Sequence, residues 1–391
     1  MTPRTDLPLA TRTLRARCEP LPDSTDLLDH LGAGGGAWLD GPIGFVTAGV
    51  AVVVEPSGAV DLLRSIDVAD DLPAGVGPRA TGALPFTGGG RLIVPAAIVQ
   101  RAADGRVWRT VVEPAAAPAE PISAVLDRTP TTFGIAQVTG PDDWEAEVAA
   151  VLALIDAGAV EKVVLAREVV VEASRAFDPR AVLDVLRATQ PGCIVYADGG
   201  FVGASPELLV RRRGLDVTAR PMAGTGARAD ELAGSEKDGR EHRLVVDAVV
   251  DVLQSACGDV HVDDTAPVSL TDLSHLATRI TARVHDTDTS AIDLALALHP
   301  TPAVAGTPRD TAIAAISRLE PTARDLYAGP CGWVDADGDG EFVVALRGAQ
   351  LDGHRARLHA GAGIVAGSRA EAEWAETQVK LEPMLRALVR V

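Results

Sequence analysis

The sequence has 391 residues, of which 47% are hydrophobic and 23% charged, enough for one large domain or two ordinary ones with a substantial core. Its 54 acidic residues outnumber its 36 basic ones and give a net charge of -18, so nucleic acids and anionic membrane surfaces are poor partners. No apolar run approaches the roughly 18 residues of a membrane span, and the start lacks an apolar targeting segment, so we expect a cytoplasmic protein.

The first third of the chain is predicted to be rich in β-structure. Short β-prone runs, such as Val50–Val54 and Arg106–Val112, are separated by clusters of Gly and Pro, which is typical of antiparallel sheet. The stretch from Met1 to Pro20 is expected to form a loose arm. This third of the chain carries no recognisable catalytic pattern.

The middle of the chain predicts a helix followed at once by a strand that begins with a lysine. Helical spacing of apolar residues predicts a helix over Asp142–Asp156, and the strand runs from Lys162 to Glu168. Alternation with a period of two places Lys162 and Val164 on the same face of the strand. Lys162 is then either an ammonium that snorkels at the end of the sheet or a buried amine with a depressed pKa.

A proline precedes the next candidate residue. Two strands, Cys193–Ala197 and Phe201–Val210, are predicted to form a hairpin, and the second contains Pro206 directly before Glu207. A proline marks a strand edge or bulge and fixes the backbone there. Among apolar neighbours the carboxyl of Glu207 would have a raised pKa, as a general acid requires, whereas at an exposed edge it would simply be solvated.

Two predicted helices each present two carboxylates three residues apart. The pairs are Asp238 with Glu241 on a helix over Glu236–Ala256, and Glu373 with Glu376 on a helix over Ser368–Leu385. Residues three apart share a helix face, and magnesium is bound through few carboxylates, retained waters and an anionic substrate. Two such helices facing each other would suit magnesium. The alternatives are a solvated helix edge and an acidic first turn that complements the helix dipole.

Lysine is scarce in this chain. It occurs only at Lys162, Lys237 and Lys380, and the other 33 of the 36 basic residues are arginine. Where arginine serves as the routine surface cation, a retained lysine suggests a position that needs a compact ammonium or an adjustable pKa. The presence of Lys237 is explained equally well by chance.

Three further positions carry weaker signals. Arg347 follows an apolar run in a predicted strand, Phe342–Leu351, and a flanked arginine of this kind needs an anionic partner. Gly361 and Gly363 are predicted to form a turn that lets the backbone approach a ligand closely. His275, considered alone, is more typical of a core histidine than of a catalyst.

Taken together, these stretches resemble the chorismate-utilising enzymes, the family of the isochorismate, salicylate, anthranilate and aminodeoxychorismate synthases. The resemblance covers residues 142–385, and the first 140 residues match only in general character. Its carriers are Lys162–Arg167, Gly203–Leu209, Pro221–Thr225, Ser235–His242, His275–Thr278, His299–Gly306, Gly332 with Trp333, Arg347, Gly361–Val365 and Glu373–Lys380.

The resemblance implies an α/β fold of the α+β type, like that of anthranilate synthase component I. Two stacked mixed, mainly antiparallel sheets would carry helices on the outside, with the site in a cleft between the sheets. Residues 1–125 would be the N-terminal β-rich part and residues 126–391 the chorismate-binding catalytic region of one interwoven unit.

The resemblance also implies roles for individual residues. The metal set would be Glu241 and Glu376, which bind Mg²⁺, with Asp238 and Glu373 positioning its waters. The enolpyruvyl carboxylate of chorismate would be held by Tyr327, Arg347 and the amides of Gly361 and Gly363. The rest of the substrate pocket would be Lys380, His275, Thr225 and Ala303. The expected base is Lys162 and the expected acid is Glu207.

Within this family, the isochorismate synthases fit best. The aminodeoxychorismate enzymes have a nucleophilic lysine where this chain has Ala223, so water is the expected nucleophile. Neither an amidotransferase subunit nor an oligomer is expected, and the sequence leaves open a siderophore or a menaquinone pathway. The alternatives are a salicylate synthase, which also eliminates pyruvate, an anthranilate synthase component I, and a metal-binding scaffold without catalysis.

Overall fold

The computed structural model describes residues 13–68, 72–73, 75–117, 132–226, 229–271 and 273–390. Its helices are α1 (Ala59–Arg64), α2 (Pro141–Asp156), α3 (Pro179–Thr189), α4 (Ala229–Ala233), α5 (Glu236–Ala256), α6 (Ala291–Leu298), α7 (Arg309–Leu319) and α8 (Ala370–Val389). Two short 3-10 helices span Leu27–His30 and Pro56–Gly58. Its strands up to residue 173 are β1 (Arg15–Leu21), β2 (Gly36–Asp40), β3 (Ile43–Ala48), β4 (Val52–Val54), β5 (Asp67–Val68), β6 (Ala80–Ala83), β7 (Leu92–Val94), β8 (Ala97–Arg101), β9 (Val107–Glu113), β10 (Phe133–Gln137) and β11 (Lys162–Ala173).

The remaining strands follow in the C-terminal half of the chain. They are β12 (Ile194–Asp198), β13 (Phe201–Ser205), β14 (Leu208–Arg213), β15 (Asp216–Arg220), β16 (Met222–Gly226), β17 (Cys257–Val262), β18 (Ala266–Ser269), β19 (Ser274–Ala277), β20 (Ile280–Val284), β21 (Gly306–Thr307), β22 (Pro330–Val334), β23 (Gly340–Val344), β24 (Gly348–Asp352) and β25 (Arg355–Val365).

In the described ranges the strands form two large sheets and a small one. The 13-stranded sheet has the order β10-β11-β25-β24-β13-β12-β2-β3-β8-β9-β1-β5, with β21 also paired to β11. The 9-stranded sheet has the order β17-β20-β15-β14-β23-β22-β6-β7-β4, and the 3-stranded sheet the order β16-β19-β18. Pairing is antiparallel except between β1 and β5. The predicted fold class is confirmed, and the small sheet is an addition to it.

The two large sheets pack face to face, with helices on their outer faces. Between them lies a core with Phe45 from the 13-stranded sheet and Trp333 from the 9-stranded sheet, whose rings meet edge-on at 6.2 Å. Helices α3 and α8 cover the other face of the 13-stranded sheet, and α5 and α6 cover that of the 9-stranded sheet. Each sheet therefore has both faces covered over much of its area.

Strands from the N-terminal third contribute to both large sheets. The predicted loose arm is wrong from Arg15 onward, because Arg15–Leu21 forms β1 and pairs along its whole length with β9. The predicted division at residue 125 lies outside the described residues, which omit 118–131.

Across the described part of the chain, no helix has the length and apolar character to cross a membrane.

Two neighbouring strands pass together from one large sheet to the other. In the 13-stranded sheet β13 pairs with β24, and their continuations β14 and β23 pair in the 9-stranded sheet. Two hydrogen bonds join the two segments where they cross. The Ser205 hydroxyl donates to the Val344 carbonyl at 2.6 Å, and the Val344 amide donates to the Glu207 carbonyl at 3.1 Å. We call this pair of crossings the first strand exchange.

Two predicted strands are wrong, because each is divided into two strands at the first strand exchange. Phe201–Val210 divides at Pro206 and Glu207, because proline has no N–H to donate to a sheet ladder. Phe342–Leu351 divides before Gly348, and Arg347 lies outside both resulting strands with φ 51°. A left-handed backbone at a residue other than glycine is strained, and such strain is found at functional sites.

A second strand exchange connects the 9-stranded sheet to the small sheet. Strands β15 and β20 pair in the 9-stranded sheet, and their neighbours along the chain, β16 and β19, pair in the small one. The Thr278 amide donates to the Pro221 carbonyl at 3.4 Å where the two chains cross. Beyond the crossing the register places Thr225 directly opposite His275.

We expect Gly332 to be essential for the strand pair that leads to Arg347. A Cβ at Gly332 would lie 2.0 Å from the Glu341 carbonyl oxygen on β23, so alanine would force the two backbones apart. Gly332→Ala should lower the free energy of unfolding by about 1–3 kcal/mol in urea denaturation, as overpacking does. The control is Gly134→Ala on β10, where a Cβ meets nothing within 4 Å. Equal stability of the two variants would contradict the prediction.

Candidate active site

A cavity is lined by both strand exchanges, the end of β25 and helices α5 and α8. The predicted site residues in its wall are Glu207, Thr225, Glu241, His275, Ala303, Tyr327, Arg347, Gly361, Gly363, Glu376 and Lys380. Three others, Lys162, Asp238 and Glu373, do not line it. The sequence-predicted residues are thus brought to one place by elements that are distant along the chain.

Lys162 lies behind the cavity wall, paired with Glu241. Its side chain is 0% exposed, which excludes the snorkelling alternative, and its Nζ lies 2.9 Å from Glu241 Oε1. Burial acts to raise the pKa of Glu241, but Lys162 and Lys380 outweigh it and hold that pKa below its ordinary value. A Cβ at Gly363 would lie 2.3 Å from Glu241 Oε1, so the ion pair requires glycine there.

The other two lysines are also paired with carboxylates predicted for the metal. Lys237 Nζ lies 2.8 Å from Glu373 Oε1, and Lys380 Nζ lies 2.6 Å from Glu376 Oε1. Burial acts to lower the pKa of Lys380, but Glu376 outweighs it, so that pKa is raised. All three lysines of the sequence therefore form ion pairs with carboxylates of the predicted metal set.

The donor set suits a hard cation. Burial raises the pKa of Glu376, and the neighbouring charges of Glu373 and Glu241 raise it further, although Lys380 opposes them. Within the described ranges, no three Asp, Glu, His or Cys side chains converge on one metal-sized point. Magnesium needs only one or two carboxylates beside waters and an anionic substrate, so these oxygens fit it.

Asp238 takes its position from the start of α5. Its amide donates to the Ser235 hydroxyl at 3.2 Å, which caps the helix, and its side chain lies close against Gly224. A Cβ at Gly224, whose φ is 70°, would meet Asp238 Cβ at 2.9 Å. The small sheet and the acidic helix therefore depend on each other's geometry.

Glu207 is buried in the cavity wall with only 4% of its surface exposed, which excludes the solvated-edge alternative. Burial raises the pKa of its carboxyl to about 7, against the opposing effects of a backbone amide and three cations. The rise has the direction that the sequence predicts. At neutral pH a large fraction of Glu207 therefore carries a proton that it can donate.

A neutral histidine orients the arginine of the first strand exchange. Arg347 Nη2 donates to His275 Nε2 at 3.0 Å, while His275 Nδ1 lies 3.2 Å from the Gly224 carbonyl and 3.3 Å from the Thr225 hydroxyl. Burial, with the charges of Lys380 and Arg347, lowers the pKa of His275 to about 3. The ring is therefore neutral and accepts at Nε2, which fits a proton on Nδ1 shared with the carbonyl.

The predicted glycine turn is wrong, because Gly361 and Gly363 lie inside β25. Opposite them on β11, the amides of Val164 and Ala166 donate elsewhere, to Ala305 O and Glu320 Oε1. The glycines therefore turn their peptide groups away from β11. Lys380 Nζ accordingly donates to Gly361 O at 3.0 Å.

Two features of the site were not predicted from the sequence. His359 lines the cavity and stacks on Tyr327, with ring centroids 5.3 Å apart. The buried guanidinium of Arg324 donates to the carbonyls of Val164 at 2.8 Å and Val304 at 2.7 Å, which holds β11 beside the loop that carries Ala303. Alternation along β25 could have indicated His359, whereas Arg324 lies in a polar loop.

Comparison with known proteins identifies the family. The family model for chorismate binding enzymes matches residues 97–389. The chain belongs to this family. It is 37% identical over 279 residues to isochorismate synthase DhbC of Bacillus subtilis, covering 66% of this chain and 70% of that one. It is 40% identical over 258 residues to isochorismate synthase EntC of Escherichia coli, covering 62% of this chain and 66% of the relative.

Solved structures of family members share the fold. MenF, the menaquinone-specific isochorismate synthase of Escherichia coli, superposes with a TM-score of 0.84 at 27% identity, covering 97% of this chain and 95% of MenF. Anthranilate synthase component I of Streptococcus pneumoniae superposes with a TM-score of 0.67 at 21% identity and covers 98% of this chain, a likeness of fold alone. The predicted resemblance to the chorismate-utilising enzymes is thereby confirmed.

Proposed function

We propose that the protein is an isochorismate synthase, which adds water at C2 of chorismate and releases the C4 hydroxyl. The observation that carries the proposal is the protonatable Glu207 in a cavity whose walls also hold the cations Arg347 and Lys380. Such a cavity offers an acid for a leaving hydroxyl and positive charge for the carboxylates of the substrate. The names of the relatives support the same reaction.

The two proton transfers fall to two residues. Lys162, as the neutral amine, takes a proton from the water that bonds to C2, and the ring double bonds shift as the C4–O bond breaks. Glu207 donates its proton to the departing hydroxyl, which leaves as water. Lys162 is held in place for this role by Glu241, whose Oε1 lies 2.9 Å from its Nζ.

The substrate carboxylates are matched to fixed donors. Arg347, oriented by His275, would grip the enolpyruvyl carboxylate together with Tyr327 and the backbone around Gly361 and Gly363. Glu241 and Glu376 would hold magnesium, with Asp238 and Glu373 positioning its waters, and the ion would supply charge neutralisation at the ring carboxylate.

Two alanines in the cavity wall favour this reaction over those of other family members. Ala223 lies where aminodeoxychorismate enzymes place a nucleophilic lysine, so the wall itself offers no nucleophile there. Ala303 gives no hydroxyl to hold the enolpyruvyl arm in a conformation that eliminates pyruvate, which disfavours a salicylate synthase. Water is therefore the nucleophile, and the reaction stops at isochorismate.

Removing either proton-transfer group should lower kcat and spare binding. Lys162→Ala and Glu207→Gln are each expected to reduce kcat at least about a hundredfold with little change in chorismate affinity. Wild-type kcat should fall as pH rises through about 7, because Glu207 must be protonated to act. The control is Glu147→Gln, which removes another buried carboxyl with a pKa raised to about 7 by burial, outside the cavity wall. A change confined to KM would refute the assignment.

Loss of either proposed magnesium ligand should uncouple chorismate binding from the metal. Glu241→Gln and Glu376→Gln are expected to abolish turnover and to remove the magnesium dependence of chorismate binding in calorimetry, because each replaces a charged carboxylate ligand with a neutral amide. Glu382→Gln, an exposed carboxylate on the same helix as Glu376, should behave as wild type. Wild-type turnover of either site variant at limiting magnesium would exclude this metal set.

The product distinguishes this proposal from its nearest alternative. Incubation of purified enzyme with chorismate and magnesium near neutral pH, followed by chromatography, should show reversible accumulation of isochorismate. Without magnesium, conversion should stop. Stoichiometric salicylate and pyruvate from the first turnover would instead make the protein a salicylate synthase.

A further inference from the structure

Arg220 stands behind Glu207, at the point where the two strand exchanges meet. Its Nη2 donates to the carbonyl of Pro206 at 3.0 Å, the peptide group directly before Glu207. Arg220 lines a second cavity, on the far side of Pro206, and Pro206 contributes to the walls of both cavities. The arginine thus reaches the acid through the backbone rather than through the substrate cavity.

The same short segment also reaches the carboxyl end of Glu207. Two residues after Arg220, at the start of β16, the backbone amide of Met222 donates to the Glu207 carboxylate. Arg220–Met222 is the crossing of the second strand exchange, and it therefore holds Glu207 both at its preceding peptide and at its carboxyl group. The acid has little freedom to move while this segment stays in place.

Cations face Glu207 from three different elements. They are Lys162 on β11, Lys380 on α8 and Arg220 on β15, and each acts against the burial that raises the pKa of the carboxyl. Lys162 and Lys380 have carboxylate partners of their own, Glu241 and Glu376. Arg220 instead donates to a neutral carbonyl, and it shares the second cavity with the acidic residues Asp40 and Glu341.

We propose that Arg220 is a positioning residue for the acid of the proposed isochorismate synthase reaction. Its guanidinium fixes the Pro206–Glu207 peptide and so aims the carboxyl into the cavity, and its charge lowers the upper end of the pH range over which Glu207 keeps a proton. This inference rests on the proposed function only in naming Glu207 the acid. The contact between Arg220 and Pro206 is independent of it.

The test separates the charge of Arg220 from its geometry. Arg220→Gln removes the charge, so the alkaline limb of the kcat–pH profile should move up by about half a pH unit or more, because one opposing cation is lost. Arg220→Lys keeps the charge and loses the guanidinium, so its limb should stay in place while kcat falls about tenfold through poorer aim of the carboxyl. The matched control is Arg279→Gln, an exposed arginine of the same second cavity, whose limb and kcat should not change.

A second measurement needs no turnover. The infrared carbonyl stretch of protonated Glu207, assigned by its loss in Glu207→Gln, should titrate at higher pH in Arg220→Gln than in wild type. If the enzyme makes another product, this titration still reports the coupling, so failure of the proposed reaction is distinguishable. An unchanged Glu207 titration in folded Arg220→Gln, or a shift of equal size in Arg279→Gln, would overturn the proposal.

Discussion

The hydrogen bonds between the two crossing segments of the first strand exchange fix the positions of both Glu207 and Arg347. A strand that leaves a buried sheet would carry unpaired peptide groups. These groups lower the stability of the fold unless another segment accepts or donates their hydrogen bonds. Here a second strand leaves beside it, and the Ser205 hydroxyl bonds to the Val344 carbonyl 139 positions away in sequence. Because the strands cross as a pair, the residues at the crossings are neighbours, and the 13-stranded and 9-stranded sheets cannot slide without moving both.

Three carboxylates of the predicted metal set are each balanced by one lysine. Buried ions need partners, and the three lysines supply them to Glu241, Glu373 and Glu376. An ammonium is a compact point charge, whereas a guanidinium would engage both oxygens of a carboxylate at once. With lysine as the partner, the second oxygen of each carboxylate would remain for the magnesium that we propose. In a chain whose other Lys and Arg positions are all arginine, lysine occurs only at these three pairs.

Local sequence patterns predicted the bounds of the helices closely. The strand crossings could not be predicted in this way, because they depend on partner strands that are distant in sequence. Helix α5 has the predicted bounds, because its apolar period and its Ser235 cap act within one segment. The prediction for the segment around Arg347 was wrong, because the apolar run before it reads as one continuous buried strand. Only a partner strand distant in sequence makes the chain turn there. The same holds for Gly361, which is a strand residue because β11 lies beside it. The family resemblance named the site residues, but their pairings with lysines came from the fold.

The lysine pairs have a practical consequence for spectroscopy. Since every lysine of the sequence is paired with a carboxylate of the predicted metal set, lysine-selective isotope labelling would place each of its side-chain probes beside one of these carboxylates. Arginine carries nearly all the positive charge elsewhere and would stay silent in such a spectrum. A protein of this size thus offers, through the composition of its own sequence, a small set of resonances that report on these three ion pairs.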